Sequence, residues 1–307
     1  MLKNAIIFQI MQHSRQLSKQ ECEEALQALQ FVPTSGTQEK SVGFVPPRGH
    51  AHGELVEALG TNWFFRVAIE TKKVPPSLVR EKLDAKVVEI EEATGRKPGK
   101  KEKRDLSDDI FNALLPTAFP SRSDMNIWID QQRKLLILDA SSQSKADEVV
   151  SLLVKAIDLQ LSLVQTTMSP LSVMKQWLMA EHLDTEGPKS FALGKELVLK
   201  ADEEKAQVKY SHHLLDSEGI RPEIKKHIGQ GKLPRSLELA HEQGLSFVLT
   251  ETLTLKKLNF AGVEAPSGDE AHEDRFDADG YLATSILGAV LDDLFAELGG
   301  AAAHETQ

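Results

Sequence analysis

IWIDQQRKLLILDASSQSKADEVVSLLVKAI, residues 127–157, decides the fold class. Ile127–Ile129 and Leu135–Leu138 are short apolar runs of β-branched, aromatic and leucine side chains. The polar stretch Asp130–Lys134 between them predicts a two-stranded hairpin. Beyond it the apolar residues recur at helical spacing, which predicts a helix over Lys145–Ile157. Strands and a helix in such close succession point to a mixed fold rather than an all-α or all-β one.

Towards the N-terminus the same mixture continues. Ile6–Ile10 and Trp63–Ile69 read as strands and bracket a helix around Ser18–Leu29, with Leu26 and Leu29 on its apolar side. Val42–Gly49, containing GFVPPRG, reads as a proline-fixed loop. Pro75 and Pro76 suit a helix start, and Val79, Leu83, Val87 and Ile90 continue that helix at near-fourfold spacing. Gly95, Pro98 and Gly99 break it, and a second helix over Lys100–Leu115 completes a helical hairpin whose tip is basic. Pro116 and Pro120 deny further helix and hold residues 114–120 as a stiff loop, a shape suited to presenting Phe119 outward, although the residues alone favour its ring as ordinary core under the hairpin.

The second half reads as a helix near Leu171–Met179, a strand at Val208–Tyr210, a helix over Glu218–Ile228, and strands at Leu237–Leu239, Phe247–Thr250 and Thr252–Leu258. Phe276, Leu282, Ile286, Val290, Leu294 and Leu298 then mark a closing helix that stops at Gly299–Gly300. No internal repeat is present, and the one low-complexity stretch is the Ala-rich terminus. At 307 residues the chain exceeds the usual single domain. The expected organisation is a central α+β domain from residues 1–74 with 121–165, a helical tip at 75–120, and a second α+β region at 166–307 ending in a C-terminal helix. The expected fold class is therefore α+β, multi-domain, with antiparallel sheets and a protruding helical hairpin.

Composition is that of a folded globular protein, 41% apolar and 27% charged. Cys22 is the single cysteine, which excludes an intrachain disulfide and a thiolate metal cluster. The apolar run near Ala5–Phe8 is too short for a signal-peptide core, and no run approaches a membrane span, so the expected location is the cytoplasm. A net charge of −10 opposes DNA binding if it is spread evenly, but it is not. Residues 72–104 hold eleven lysines and arginines against six acids, a local charge of +5.

Within that segment Arg96, Lys97, Lys100, Lys101, Lys103 and Arg104 form a dense basic run, a pattern that displaces counterions from a phosphate backbone. Lys72, Lys73 and Arg122 flank it. A second cluster comprises Arg221, Lys225, Lys226, Lys232 and Arg235, with Arg221 and Lys225 on one helical face. The bland alternative for both is a solvated surface. Other motifs fail on their own chemistry. Gly95-x-x-x-Gly99-Lys100-Lys101 is one residue short of a phosphate-binding loop and lacks the Ser or Thr after the lysine. Arg275-x-Asp277-x-Asp279-Gly280 lacks the first and twelfth ligands of a calcium loop, so Asp277 and Asp279 read as first-turn acids of the last helix. His50 with His52, and His212 with His213, have no matching ligand set for a metal. Ser141 and Ser142 have no base. No catalytic residue, metal site or cofactor is expected.

The chain resembles the RdgC family of recombination-associated proteins. The resemblance rests on GFVPP (43–47), KKVPPSLV (72–79), KKEKRDLSDDIFNALLPTAF (100–119), WID (128–130), LLILDASSQSKADEVVSLL (135–153), SEGI (217–220), LTLKKLNF (253–260), RFDADGYL (275–282) and LGG (298–300). It implies a homodimer of curved subunits closed into a ring around DNA, with a positively charged hole. It further implies binding of double- and single-stranded DNA with little sequence preference, association with the nucleoid, and regulation of RecA-type recombination and replication-associated repair, with a RecA-type recombinase as a partner. Phe119 aligns with the aromatic that closes the ring between subunits, and His212 and His213 fall at the facing segment. Two positions depart from the family pattern. Thr117 stands where the family has Arg, and His212 and His213 stand where it favours Lys and Gln, which removes fixed charge there. A rival reading is a protein–protein adaptor whose basic hairpin docks an acidic partner.

Overall fold

The computed structural model of the chain describes residues 2–12, 14, 18–50, 52–201, 206–261 and 272–301; the end of the Ala-rich terminus, 302–307, lies outside them. In chain order the first half contains β1 (Asn4–Ile10), α1 (Lys19–Gln27), β2 (Lys40–Val45), β3 (Glu57–Leu59), β4 (Asn62–Lys72), α2 (Pro76–Thr94), α3 (Lys100–Leu114), β5 (Pro120–Asp130), β6 (Leu135–Leu138) and α4 (Gln143–Ile157). The second half contains β7 (Leu161–Leu163), α5 (Pro170–Met179), α6 (Leu183–Glu186), β8 (Phe191–Ala201), β9 (Gln207–Tyr210), α7 (Arg221–Gly229), β10 (Lys232–His241), β11 (Leu245–Thr250), β12 (Leu255–Phe260) and α8 (His272–Glu297). The fold is mixed α+β and its strand pairings are antiparallel.

The strands follow the order β2-β4-β5-β6-β1-β12-β11-β10-β8-β9, with β3 on β4 and β7 on β1. The LLIL of β6 lacks polar alternation because both of its faces are covered. Leu136 and Leu138 join Ile6, Phe8, Phe65 and Ile127 in a core closed by α1 and α4. Leu135 and Ile137 join Ala5, Ile7 and Trp128 in a second core that takes in α5, α7, α8 and β8 to β12. Strand β1 connects the two halves of the sheet. Its Ile6–Gln9 pair with β6 on one edge, while on the other Asn4 and Ala5 pair with β12 and Phe8–Ile10 with β7.

Helix boundaries follow local chemistry. Ser18 caps α1 reciprocally with Glu21: Glu21 N–H donates to Ser18 Oγ at 3.2 Å and Ser18 N–H donates to Glu21 Oε2 at 2.9 Å. Pro76 opens α2, and Gly95 ends it in the left-handed region at φ +71°. Helices α2 and α3 contact each other, and no side chain of either is buried.

Several sequence expectations need correction. Val42–Val45 is not loop but the end of β2, paired with Arg66–Ile69 of β4. Gly43 belongs to this strand because Phe31 crosses it closely; a Cβ at residue 43 would lie 2.5 Å from Phe31 Cα. Residues 115–117 form a 3-10 turn, and β5 begins at Pro120, well before the expected Ile127. Strand β8 has no counterpart in the sequence reading. Thr252 lies in a turn, where Thr254 N–H donates to Thr250 Oγ1 at 3.0 Å, so β12 starts only at Leu255. Helix α8 starts at His272, which places Asp277 and Asp279 beyond its first turn.

Candidate nucleic-acid interface

Lys72 closes β4 and pairs in register with Pro120, the first residue of β5. The chain thus leaves the sheet through Lys73 and returns through Phe119 at one place, with α2 and α3 as the excursion between. Nineteen residues of α2 span about 28 Å at 1.5 Å per residue.

The basic run divides by partner. Glu102 accepts from Arg96 Nη1 at 2.9 Å and from Nη2 at 3.3 Å, and this paired fork raises the Arg96 pKa and lowers that of Glu102. Lys97 lies 3.6 Å from Glu91. Lys100, Lys101, Lys103 and Arg104 make no side-chain hydrogen bond or ion pair among the described residues, and the acids further along α3, Asp105, Asp108 and Asp109, are out of ion-pair range. Their i, i+3 and i, i+4 spacing on the first turn of α3 gathers these cations into one positive surface.

Lys72, also a candidate phosphate ligand, differs from these cations in its surroundings. It is buried, and its Nζ donates to the carbonyls of Ser35 at 2.9 Å and Gly36 at 3.4 Å. Its side chain falls on the sheet face that residues 30–38 cover, so it fastens that segment to β4. Lys73 is exposed without an ion pair. Arg122 pairs with Asp124 at 3.0 Å and stacks over Phe31 at 5.0 Å from the ring centre.

In the second cluster most charges are engaged within the subunit. Arg221 donates to the Ala180 carbonyl, and Lys225 lies 3.0 Å from Glu181. The helical face that these two share is therefore turned onto the segment after α5. Arg235 pairs with Glu251. Lys232 Nζ lies 3.5 Å from His227 Nδ1, and Lys226 is exposed without an ion pair.

Phe119 is 91% exposed, so it is not core of its own subunit. His212 and His213 are exposed in the loop after β9, His212 at φ +63°. The structure adds Leu214 beside them, 57% exposed, which the sequence reading passed over; an apolar residue directly after two histidines in a loop was the available signal. Among the described residues no group of three or more His, Cys, Asp or Glu is placed to hold a metal ion, and no helix is long and apolar enough to cross a membrane. Burial pushes the Cys22 thiol up to about 12, which denies it a reactive thiolate at neutral pH.

A family model described as "Putative exonuclease, RdgC" matches residues 1–301. The chain is similar to the recombination-associated protein RdgC of Janthinobacterium sp. (strain Marseille), 36% identical over 88% of each chain. The protein of the same name from Cupriavidus pinatubonensis is 36% identical over 92% of this chain and 93% of its own. That from Dechloromonas aromatica is 34% identical over 91% of each.

Proposed function

Because the chain belongs to the RdgC family of recombination-associated proteins, we propose that it binds double- and single-stranded DNA without regard to sequence, encircling it as a homodimeric ring of curved subunits. In this reading it modulates RecA-type recombination and replication-associated repair at the nucleoid and does not cut DNA. Residues 75–120 serve as a protruding helical tip between a central domain, 1–74 with 121–165, and a second region, 166–307. Phe119 closes the ring against the segment containing His212, His213 and Leu214 of a second copy.

The observation that carries the reading is the row of unpaired cations Lys100, Lys101, Lys103 and Arg104 on a net-acidic chain. A positive surface without internal counter-charge attracts phosphate while the rest of the molecule repels it. The large exposed ring of Phe119 supports an intersubunit role, since it has no packing role at home. The description of the matching family model raises nuclease activity instead. Metal-assisted phosphodiester hydrolysis draws on clustered carboxylates, and no group of three or more His, Cys, Asp or Glu is placed to hold a metal ion among the described residues.

Titrating labelled duplexes of unrelated sequence at several salt concentrations tests the proposal. With about six phosphates neutralised, log K falls against log salt with a slope of roughly −5, equally for each sequence. Discrimination of about a hundredfold between duplexes would exceed what backbone contacts give and contradict the reading. Adding magnesium to the bound duplex is expected to release no nucleotides; their release would make the protein a nuclease. Absence of DNA binding would leave the adaptor reading.

A further inference from the structure

The face of β4 and β5 turned away from α1 and α4 carries, in register, Phe64 opposite Trp128 and Arg66 opposite Asn126. The N-terminal half of α8 lies over these residues and leaves a cavity of about 130 Å³ bordered by Pro47, Phe64, Arg66, Asn126, Phe276 and Ala283. Two of its walls are aromatic, with Phe64 and Phe276 meeting edge to face at 5.9 Å.

Arg66 is partly buried in this cavity and makes no ion pair among the described residues. Its Nε donates to Asn126 Oδ1 at 3.0 Å, which leaves Asn126 Nδ2 free to donate. Arg66 Nη1 and Nη2 make no hydrogen bond or ion pair among the described residues. The charges around it are already matched. Asp124 pairs with Arg122 at 3.0 Å; Arg48 pairs with Glu57 at 2.9 Å and Asp277 at 2.6 Å; Asp279, which also borders the cavity, faces Arg275 at 3.8 Å. Burial holds the Arg66 pKa below the ordinary arginine value, and the nearby charge of Asp124 offsets this only in part.

The geometry points to a binding site for a small monocarboxylate with a single-ring apolar body, its carboxylate on Arg66 Nη1, Nη2 and Asn126 Nδ2 and its ring against Pro47, Phe64 and Phe276. A guanidinium fork is the donor geometry a carboxylate matches, and the third donor is already aimed by the Nε bond. At about 130 Å³ the cavity has room for no more than one ring, since an apolar cavity of about 150 Å³ takes up benzene, so the carboxylate would sit at its Arg66 border. This site is independent of the DNA-binding reading.

Calorimetric titration of the full chain with benzoate tests the proposal. Benzamide, nearly isosteric and neutral, and acetate, charged without a body, serve as the controls. Benzoate is expected to bind saturably, and each control roughly tenfold or more weakly. Arg66→Gln is expected to abolish benzoate binding. Ala283→Leu, which puts bulk into the cavity and keeps Arg66, is expected to do the same in a protein that still melts cooperatively and binds DNA as before. Absence of saturable benzoate binding to the natural chain would overturn the proposal, as would equal binding of benzamide. So would undiminished benzoate binding by a folded Ala283→Leu protein.

Discussion

Lys72 and Lys73 are adjacent in sequence and differ in what surrounds them. Lys72 gives its ammonium to two backbone carbonyls under the 30–38 segment, whereas Lys73 is open to solvent. Lys72→Met would strand those carbonyls and is expected to lower stability by about 1–3 kcal/mol in chemical denaturation without changing the salt slope of DNA binding. Unaltered stability with a reduced slope would return Lys72 to the phosphate set. Nothing in KKVPP distinguishes the two lysines, because the distinction comes from a segment over thirty residues earlier in the chain. The residues around Phe119 alone favoured a core role for its ring, and only the family resemblance pointed outward, because flanking prolines fix a loop without fixing which way its side chain turns. Phe119→Ala is expected to leave the melting temperature unchanged, since the ring is 91% exposed. It should weaken ring closure by about 2 kcal/mol, on the order of thirtyfold. A melting temperature lowered by many degrees would show that the side chain supports its own subunit.

Among the elements, α3 bears the unpaired cations, and replacing Lys100, Lys101, Lys103 and Arg104 together by Glu tests it. Because no residue of α3 is buried, the variant should stay folded by circular dichroism. It should bind every duplex more weakly by a similar factor, with a salt slope shallower by roughly 0.9 for each phosphate no longer neutralised. Unchanged affinity would make the surface a solvated one. This element was readable because its helix start, charge run and glycine breaks are all local. β6 was readable because an unbroken LLIL has one physical meaning here, burial on both faces. β8 was not, although Phe191, Leu193, Leu197 and Leu199 keep an alternating phase. The Gly194–Glu196 segment interrupts the apolar pattern where the pairing with β10 shifts register, and there Glu238 accepts from Lys195 N–H at 2.7 Å. β2 was misread for a related reason. Its prolines mark only its exit, and Gly43 inside it answers to Phe31 above, a proximity no local pattern reveals.

At the scale of the whole molecule, the acidic sum and the basic row are reconciled by segregation. Much of the second cluster, Arg221, Lys225 and Arg235, is held within the chain, so among the candidate phosphate-binding residues those without a partner lie mostly on α3 and at Lys73. On the proposed reading, phosphate contacts alone would hold DNA only while salt permits, whereas a closed ring would hold a closed circle even when those contacts weaken. The most direct measurement is retention of preloaded protein on covalently closed circular DNA after a high-salt wash, before and after a single linearising cut. Retention on the circle and release upon cutting are expected. Equal release from both forms, or equal retention on both, would contradict encirclement.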